Sequence, residues 1–269
     1  MKNIFFVIIS ITFLFWTCKP EKEPKHWISL FNGTDLTGWD IKISGHPLNE
    51  NFNNTFLVKD STIYVNYAQY DTFTHEFGHL FYHIPYSKYK LKMEYKLFGS
   101  PTPGSPVWAF QNSGVMLHAQ SASSMELDQN FPISIEFQFL SRVDTARRAT
   151  GNLASPGTHV VVDGKLHTNH MLYSSAKTYG DEWVKIEAVV LADSVVYHIV
   201  EGDTVLTYTK PQIGGWEKDE ETGWVTDKSF VKKMLGTPLK EGYIALQAEG
   251  NPVQFRNIEL LDLSEKKKE

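Results

Sequence analysis

Residues 112–120 read NSGVMLHAQ, residues 132–140 read PISIEFQFL and residues 148–159 read RATGNLASPGTH. The first two segments alternate with period two, the spacing that puts every second side chain on one face of a strand. Gly114, Met116, His118 and Gln120 fall on one side of the first, and Ser134, Glu136 and Gln138 on one side of the second. Val115, Leu117, Ile133, Ile135, Phe137 and Phe139 take the opposite sides and read as core. An imidazole, a carboxylate and two amides on one sheet face make a binding or catalytic surface whose amides suit a hydroxyl-rich ligand. Placing Glu136 and Gln138 in mid-strand is costly unless their face is wet or holds a ligand.

The same period recurs along the chain. Leu91, Met93, Tyr95 and Leu97 alternate with Lys92, Glu94 and Lys96, and Val184, Ile186, Ala188 and Val190 with Lys185, Glu187 and Val189. SVVYHIV and TVLTYT flank Glu201-Gly202-Asp203 and predict a hairpin. GYIALQAEG and VQFRNIELLDL flank Asn251-Pro252 and predict a second. Only 226–235 has helical spacing, with Thr226 or Asp227 as cap and Gly236 as stop. Strands punctuated by Gly, Pro and Asn indicate an all-β sandwich or barrel.

A chain of 269 residues with 42% hydrophobic content can bury a large core as one domain. A net charge of -5 without a concentrated basic stripe argues against a nucleic-acid partner, because phosphate binding draws on clustered Lys and Arg. No obligate protein partner is evident. Met1-Lys2-Asn3 precedes an apolar run over 4–16, the length of a signal-peptide core and too short to span a bilayer. Cys18, the only cysteine, follows that run and excludes any intramolecular disulfide. The arrangement over 1–18 resembles a bacterial lipoprotein signal ending at a lipidated cysteine, although Trp16 and Thr17 are larger than the usual preceding residues. Export to the periplasmic face or outer membrane is the expectation, with 19–26 as a flexible tether, 27–263 as the domain and 264–269 as a charged tail.

His75-Glu76-Phe77-Gly78-His79 satisfies the zinc-peptidase pattern HExxH. That chemistry needs a helix to bring both imidazoles to one metal, and the surrounding aromatic and β-branched residues favour a strand or bend. There His75, His79 and His83 would form hydrogen bonds or line a cleft. Glu126 and Asp128 suit a hard cation such as calcium, or are simply solvated loop carboxylates. Arg142, Arg147 and Arg148 form a basic cluster after the Glu136 segment, and Trp39, Trp108 and Trp216 are either sugar platforms or core residues.

Several segments together resemble the 3-keto-disaccharide hydrolase family, the 3-keto-glucoside lyase and 3-keto-2-hydroxyglucal hydratase domains. They are WISLFNGTDLTGWD (27–40), EFGHLFYHIPYSKYKLKMEYKL, NSGVMLH, SIEFQ, TGNLASPGT and the ending EGYIALQAEGNPVQFRNIELLDL. The resemblance implies a concanavalin A-like jelly-roll β-sandwich with its site on a concave sheet face. It also implies a hydrolase or lyase acting on 3-keto-glycosides by removal of the C2 proton, β-elimination at C1 and hydration, which with the signal-like segment makes an exported enzyme. Such a route needs a base, an acid and an enolate stabiliser. The shared predicted face then assigns acid and base work to Glu136 and His118, although many members carry Arg at the latter position. Substrate binding falls to Gln138, Asn112 and Gln120, and enolate stabilisation to Arg148 or a divalent metal. A non-catalytic carbohydrate-binding lipoprotein is the main rival, since fold does not fix function.

Overall fold

The computed structural model describes residues 26–142, 148–215 and 232–264. Seventeen strands form among them. The first six are β1 (Trp27–Ser29), β2 (Trp39–Ile43), β3 (Phe56–Lys59), β4 (Thr62–Val65), β5 (Gly78–Tyr86) and β6 (Lys88–Leu97). The middle of the chain gives β7 (Asn112–Ala119), β8 (Ile135–Leu140), β9 (Asn152–Ala154), β10 (Thr158–Val162), β11 (Lys165–His167) and β12 (Met171–Leu172). The remainder are β13 (Val184–Leu191), β14 (Val195–Val200), β15 (Asp203–Ile213), β16 (Gly242–Ala248) and β17 (Val253–Asp262).

Two antiparallel sheets pack face to face. One runs β11-β10-β15-β14-β13-β6-β17-β4-β3, with β1 also on β17, and the other runs β12-β9-β8-β7-β16-β5-β2. The molecule is a concanavalin A-like jelly-roll sandwich, as the family resemblance implies, and the alternating segments agree with one of the two architectures they allow. One continuous core fills the space between the sheets and contains Val115, Leu117, Ile133, Ile135, Phe137 and Phe139, all on the predicted side.

Strand β8 is fixed from that inner side. Phe137 stacks on His198 at 3.9 Å between centroids and Phe139 on Tyr95 at 4.1 Å. His198 is held by the Gly151 carbonyl and the Tyr208 hydroxyl, and Tyr95 by the Thr150 hydroxyl. Burying each such ring contributes about 1.5–3 kcal/mol. The outward-facing Glu136 and Gln138 therefore project from a rigid strand.

The β14/β15 hairpin forms as predicted, with Val200 opposite Asp203 and positive φ at Glu201 and Gly202. The second predicted hairpin does not form. β16 pairs with β5 and β7 in one sheet, whereas β17 pairs with β1, β4 and β6 in the other. Residues 249–252 thus cross between layers, held where Tyr67 Oη accepts from the Gly250 amide at 2.8 Å and the Asn251 side-chain amide donates to the Ala109 carbonyl. The predicted helix over 226–235 falls mostly outside the described residues; 232–234 are helical, and Gly236 at φ 81° follows as the stop. Residues 1–18, with Cys18, nearly all of the tether, and 265–269 also lie outside the described residues.

Candidate active site

Register places the outward side chains of the seven-stranded sheet in rows. Lys42 of β2 lies opposite His79 of β5, which lies opposite Gln247 of β16; Gly114 of β7 is opposite Gln138 of β8, itself opposite Asn152 of β9. Next to this row, Met116 is opposite Glu136. One end of the face is filled by a small apolar cluster of Phe81, Met116, Ala119, Ala122, Met125 and Ala245. Beyond it opens a cavity of about 630 Å³ with Glu136, Gln138, Asn112, Asn152, Arg148 and Glu249 in its walls and the exposed aromatics Trp108 and Tyr173 among its lining. That volume falls in the range of small-molecule sites.

Glu136 is 4% exposed, and its Oε1 has no hydrogen-bond partner. Its carboxyl lies over Gly114: a Cβ built on that glycine would stand 2.5 Å from Oε1. Burial pushes the Glu136 carboxyl up to about 8. Gln247 is close enough to favour the charged form, though neither of its amide atoms reaches hydrogen-bond geometry. Glu249, just past β16, is buried with Oε2 unpartnered; burial first, and then repulsion by Glu136, raise its pKa, while Arg148 opposes the rise. Arg148 is anchored by donating Nη1 to the Phe110 carbonyl at 2.6 Å.

Gln138 Oε1 accepts from Asn152 Nδ2 at 3.1 Å, and Asn152 Oδ1 accepts from the Ser174 amide at 2.9 Å. Asn112 donates Nδ2 to the Trp108 carbonyl at 3.4 Å and leaves Oδ1 unpartnered. The cavity thus presents amides and two desolvated carboxyls around one guanidinium. Such a set can bind hydroxyls, move protons and stabilise a developing oxyanion.

Of the predicted site residues, Glu136, Gln138, Asn112 and Arg148 converge. His118 does not. Its φ of 50° and the register shift between Tyr243 and Ala245 break the alternation of β7, and its ring packs between the sheets against Tyr89, with Nε2 3.3 Å from the Ala192 carbonyl. Gly242 makes room for this bulge, since a Cβ there would collide with the His118 backbone. Gln120 is also elsewhere. Its Oε1 accepts from the Ile133 amide at 2.7 Å and from Gln129 at 2.9 Å, closing the loop before β8.

Glu249 is the charged residue of the cavity wall that the sequence reading missed, and Asn152 a polar one. The signal for Glu249 is the alternation Ala245, Gln247, Glu249, continuous with the polar face of β7 and β8.

The HExxH spacing does not build a zinc site. His75 is exposed at φ 86°, Glu76 accepts from the Thr74 amide and hydroxyl, and His79 is buried in β5, where burial beside Lys42 lowers its pKa to about 3. His75, Glu76 and Asp128 border a separate polar cleft, and His83 Nδ1 is 2.5 Å from the Gly38 carbonyl. Glu126 and Asp128 are exposed, and among the described residues no three His, Cys, Asp or Glu side chains gather as metal ligands. Trp39 is a core residue that donates to the Leu30 carbonyl. Arg142 is exposed, while Arg147 and Trp216 lie outside the described residues.

Fold and cavity together define a β-sandwich with an acidic, amide-rich pocket on one sheet. A family model described as the 3-keto-alpha-glucoside-1,2-lyase-like domain matches residues 26–261, and the chain belongs to that family. Two crystal structures of candidate glycosyl hydrolases from Parabacteroides distasonis are similar in fold. One has 14% identity, covers 88% of this chain and 100% of that one, and gives a TM-score of 0.52. The other has 17% identity, 88% and 94% coverage and a TM-score of 0.48. A carbohydrate-binding module from Bacillus subtilis has 7% identity, 84% and 96% coverage and a TM-score of 0.45. A comparison with curated proteins gives no match.

Proposed function

We propose that the protein cleaves 3-keto-glycosides by removing the C2 proton, expelling the C1 substituent and hydrating the resulting enone. The observation that carries this reading is Glu136: a desolvated carboxyl with a free oxygen at the wall of a sugar-sized cavity, on a rigid strand. The proton alpha to a ketone is acidic enough for such a base, whose raised pKa matches the task near neutrality. Gln138 and Asn112 bind ring hydroxyls, and Arg148 stabilises the enolate at O3. Family membership supports the substrate class. Glu136→Gln should lower turnover of a 3-keto-glucoside by about 10³-fold with the fold intact, a loss typical of a removed base; near-normal turnover overturns the assignment.

A second reading, a carbohydrate-binding protein without turnover, draws on the exposed Trp108 and Tyr173 lining the cavity, which offer stacking faces for a sugar. Incubating the purified protein with a 3-keto-glucoside separates the two, since binding without loss of the substrate favours the binder. The apolar run over 4–16 and Cys18 support an exported, lipid-anchored protein.

A further inference from the structure

The placement of His118 in the core takes away the acid that the sequence assigned to the departing oxygen. Glu249 is the other buried carboxyl in the cavity wall. Each of the pair keeps one oxygen without a partner, Oε1 on Glu136 and Oε2 on Glu249. Among the described residues neither is tied into a salt bridge that would make it a structural ion, and an unpaired buried carboxyl costs stability. Their positions are fixed independently. Glu136 stands on β8 above Gly114, whereas Glu249 stands at the crossing out of β16, held by the Tyr67 and Ala109 contacts of its neighbours.

We propose that Glu249 is the proton partner of Glu136, giving a proton to the glycosidic oxygen as Glu136 takes one from C2. This rests on the 3-keto-glycoside reading above. In the first half, the C2–H pair passes into the enolate and the proton goes to Glu136. The C1–O bond then breaks as C1=C2 forms and the C3 ketone is restored, while Glu249 protonates the leaving oxygen. In the second half, water adds at C1, its proton returns to Glu249, and Glu136 returns its own to C2. The balance closes: one water is consumed, one glycosidic bond is cleaved, and both carboxyls recover their starting state. Two like charges on neighbouring buried carboxyls do not ionise together, so the pair begins with one proton. In this assignment that proton sits on Glu249, whose carboxyl is pushed up by burial and by the Glu136 charge.

Two 3-keto-glucosides test the assignment, one with a 4-nitrophenoxide leaving group that departs unaided and one with methoxide, which needs an acid. In a single turnover of the full-length protein, Glu249→Gln should slow release of methanol by about 10²-fold or more, the usual value of general acid assistance, and release of 4-nitrophenol by less than about 5-fold. The alkaline fall of the methyl-substrate rate, set by Glu249 among Glu136, Arg148, His170 and the nearby Tyr67, should disappear in the variant. Glu249→Asp, which keeps the acid, should recover part of the methyl activity, and thermal melting confirms that each variant folds. Equal losses on both substrates, or none on either, overturn the proposal. Wild-type protein that converts neither substrate overturns the parent reading and this one with it.

Discussion

Gly114 and Glu136 share one space: a Cβ on the glycine would lie 2.5 Å from the carboxylate Oε1 and 2.7 Å from Cγ. Gly114 has an ordinary strand conformation, so its requirement is for room and not for backbone freedom. Gly114→Ala should therefore push the carboxyl out of place without unfolding β7. Turnover of a 3-keto-glucoside should fall about 10²-fold, the cost of misplacing a reacting group by an ångström, with a change in melting temperature of only a few degrees. Unchanged kcat/KM in a folded variant would contradict the role of this contact.

Stability should depend on pH through the same carboxyl. Burial pushes Glu136 and its neighbour Glu249 up together on folding, so above the ordinary carboxyl range the folded pair keeps a proton that the unfolded chain has released. The contribution of that proton is fully present below pH 4.5, declines as pH increases and is gone once the folded pair has released it. Glu136→Gln, which never ionises, should flatten that slope and melt higher than wild type near pH 8, by about 2–4 °C per kcal/mol relieved. Parallel melting curves for the two proteins across that range would refute the expectation.

His118 should matter to folding and not to turnover. Burial lowers its pKa to about 4, so it stays neutral, bonded to Ala192 and edge-on to Tyr89 in the core. His118→Ala should destabilise the protein by about 1–3 kcal/mol, from the lost packing and hydrogen bond. The kcat of the folded fraction should stay within about 3-fold, far from the 10²–10⁴-fold loss of a general acid–base residue. A loss in that larger range, with stability unaltered, would return His118 to the chemistry.

The segment before the domain gives a cellular prediction. Cys18→Ser should move the protein from the membrane pellet to the soluble fraction and abolish labelling with palmitate. Persistent labelling would rule out lipidation at Cys18.

How far local pattern reaches is shown by two neighbouring stretches. In 112–117 and 135–140 the alternation is unbroken, so period two alone separates Phe137 and Phe139, inside, from Glu136 and Gln138, outside. One residue further, the same rule fails. The bulge that turns His118 inward depends on Gly242, 124 positions away, whose missing side chain admits the His118 backbone; no pattern within β7 encodes that contact. Glu249 shows the converse case. Its alternation with Gln247 is plain, but the following Asn251-Pro252 is as good a signal for a hairpin as for a passage between sheets. Topology settles which one forms, through pairings with β4, β5, β6 and β7 that local sequence does not specify.

The passage at 249–252 makes one wall of the cavity also the seam between the two layers. A loop site can melt early and leave its scaffold standing. Here Glu249 cannot swing away unless β16 and β17 part, and with them the interior that both sheets share. The Glu249 wall of the pocket should therefore last for as long as the two layers stay together.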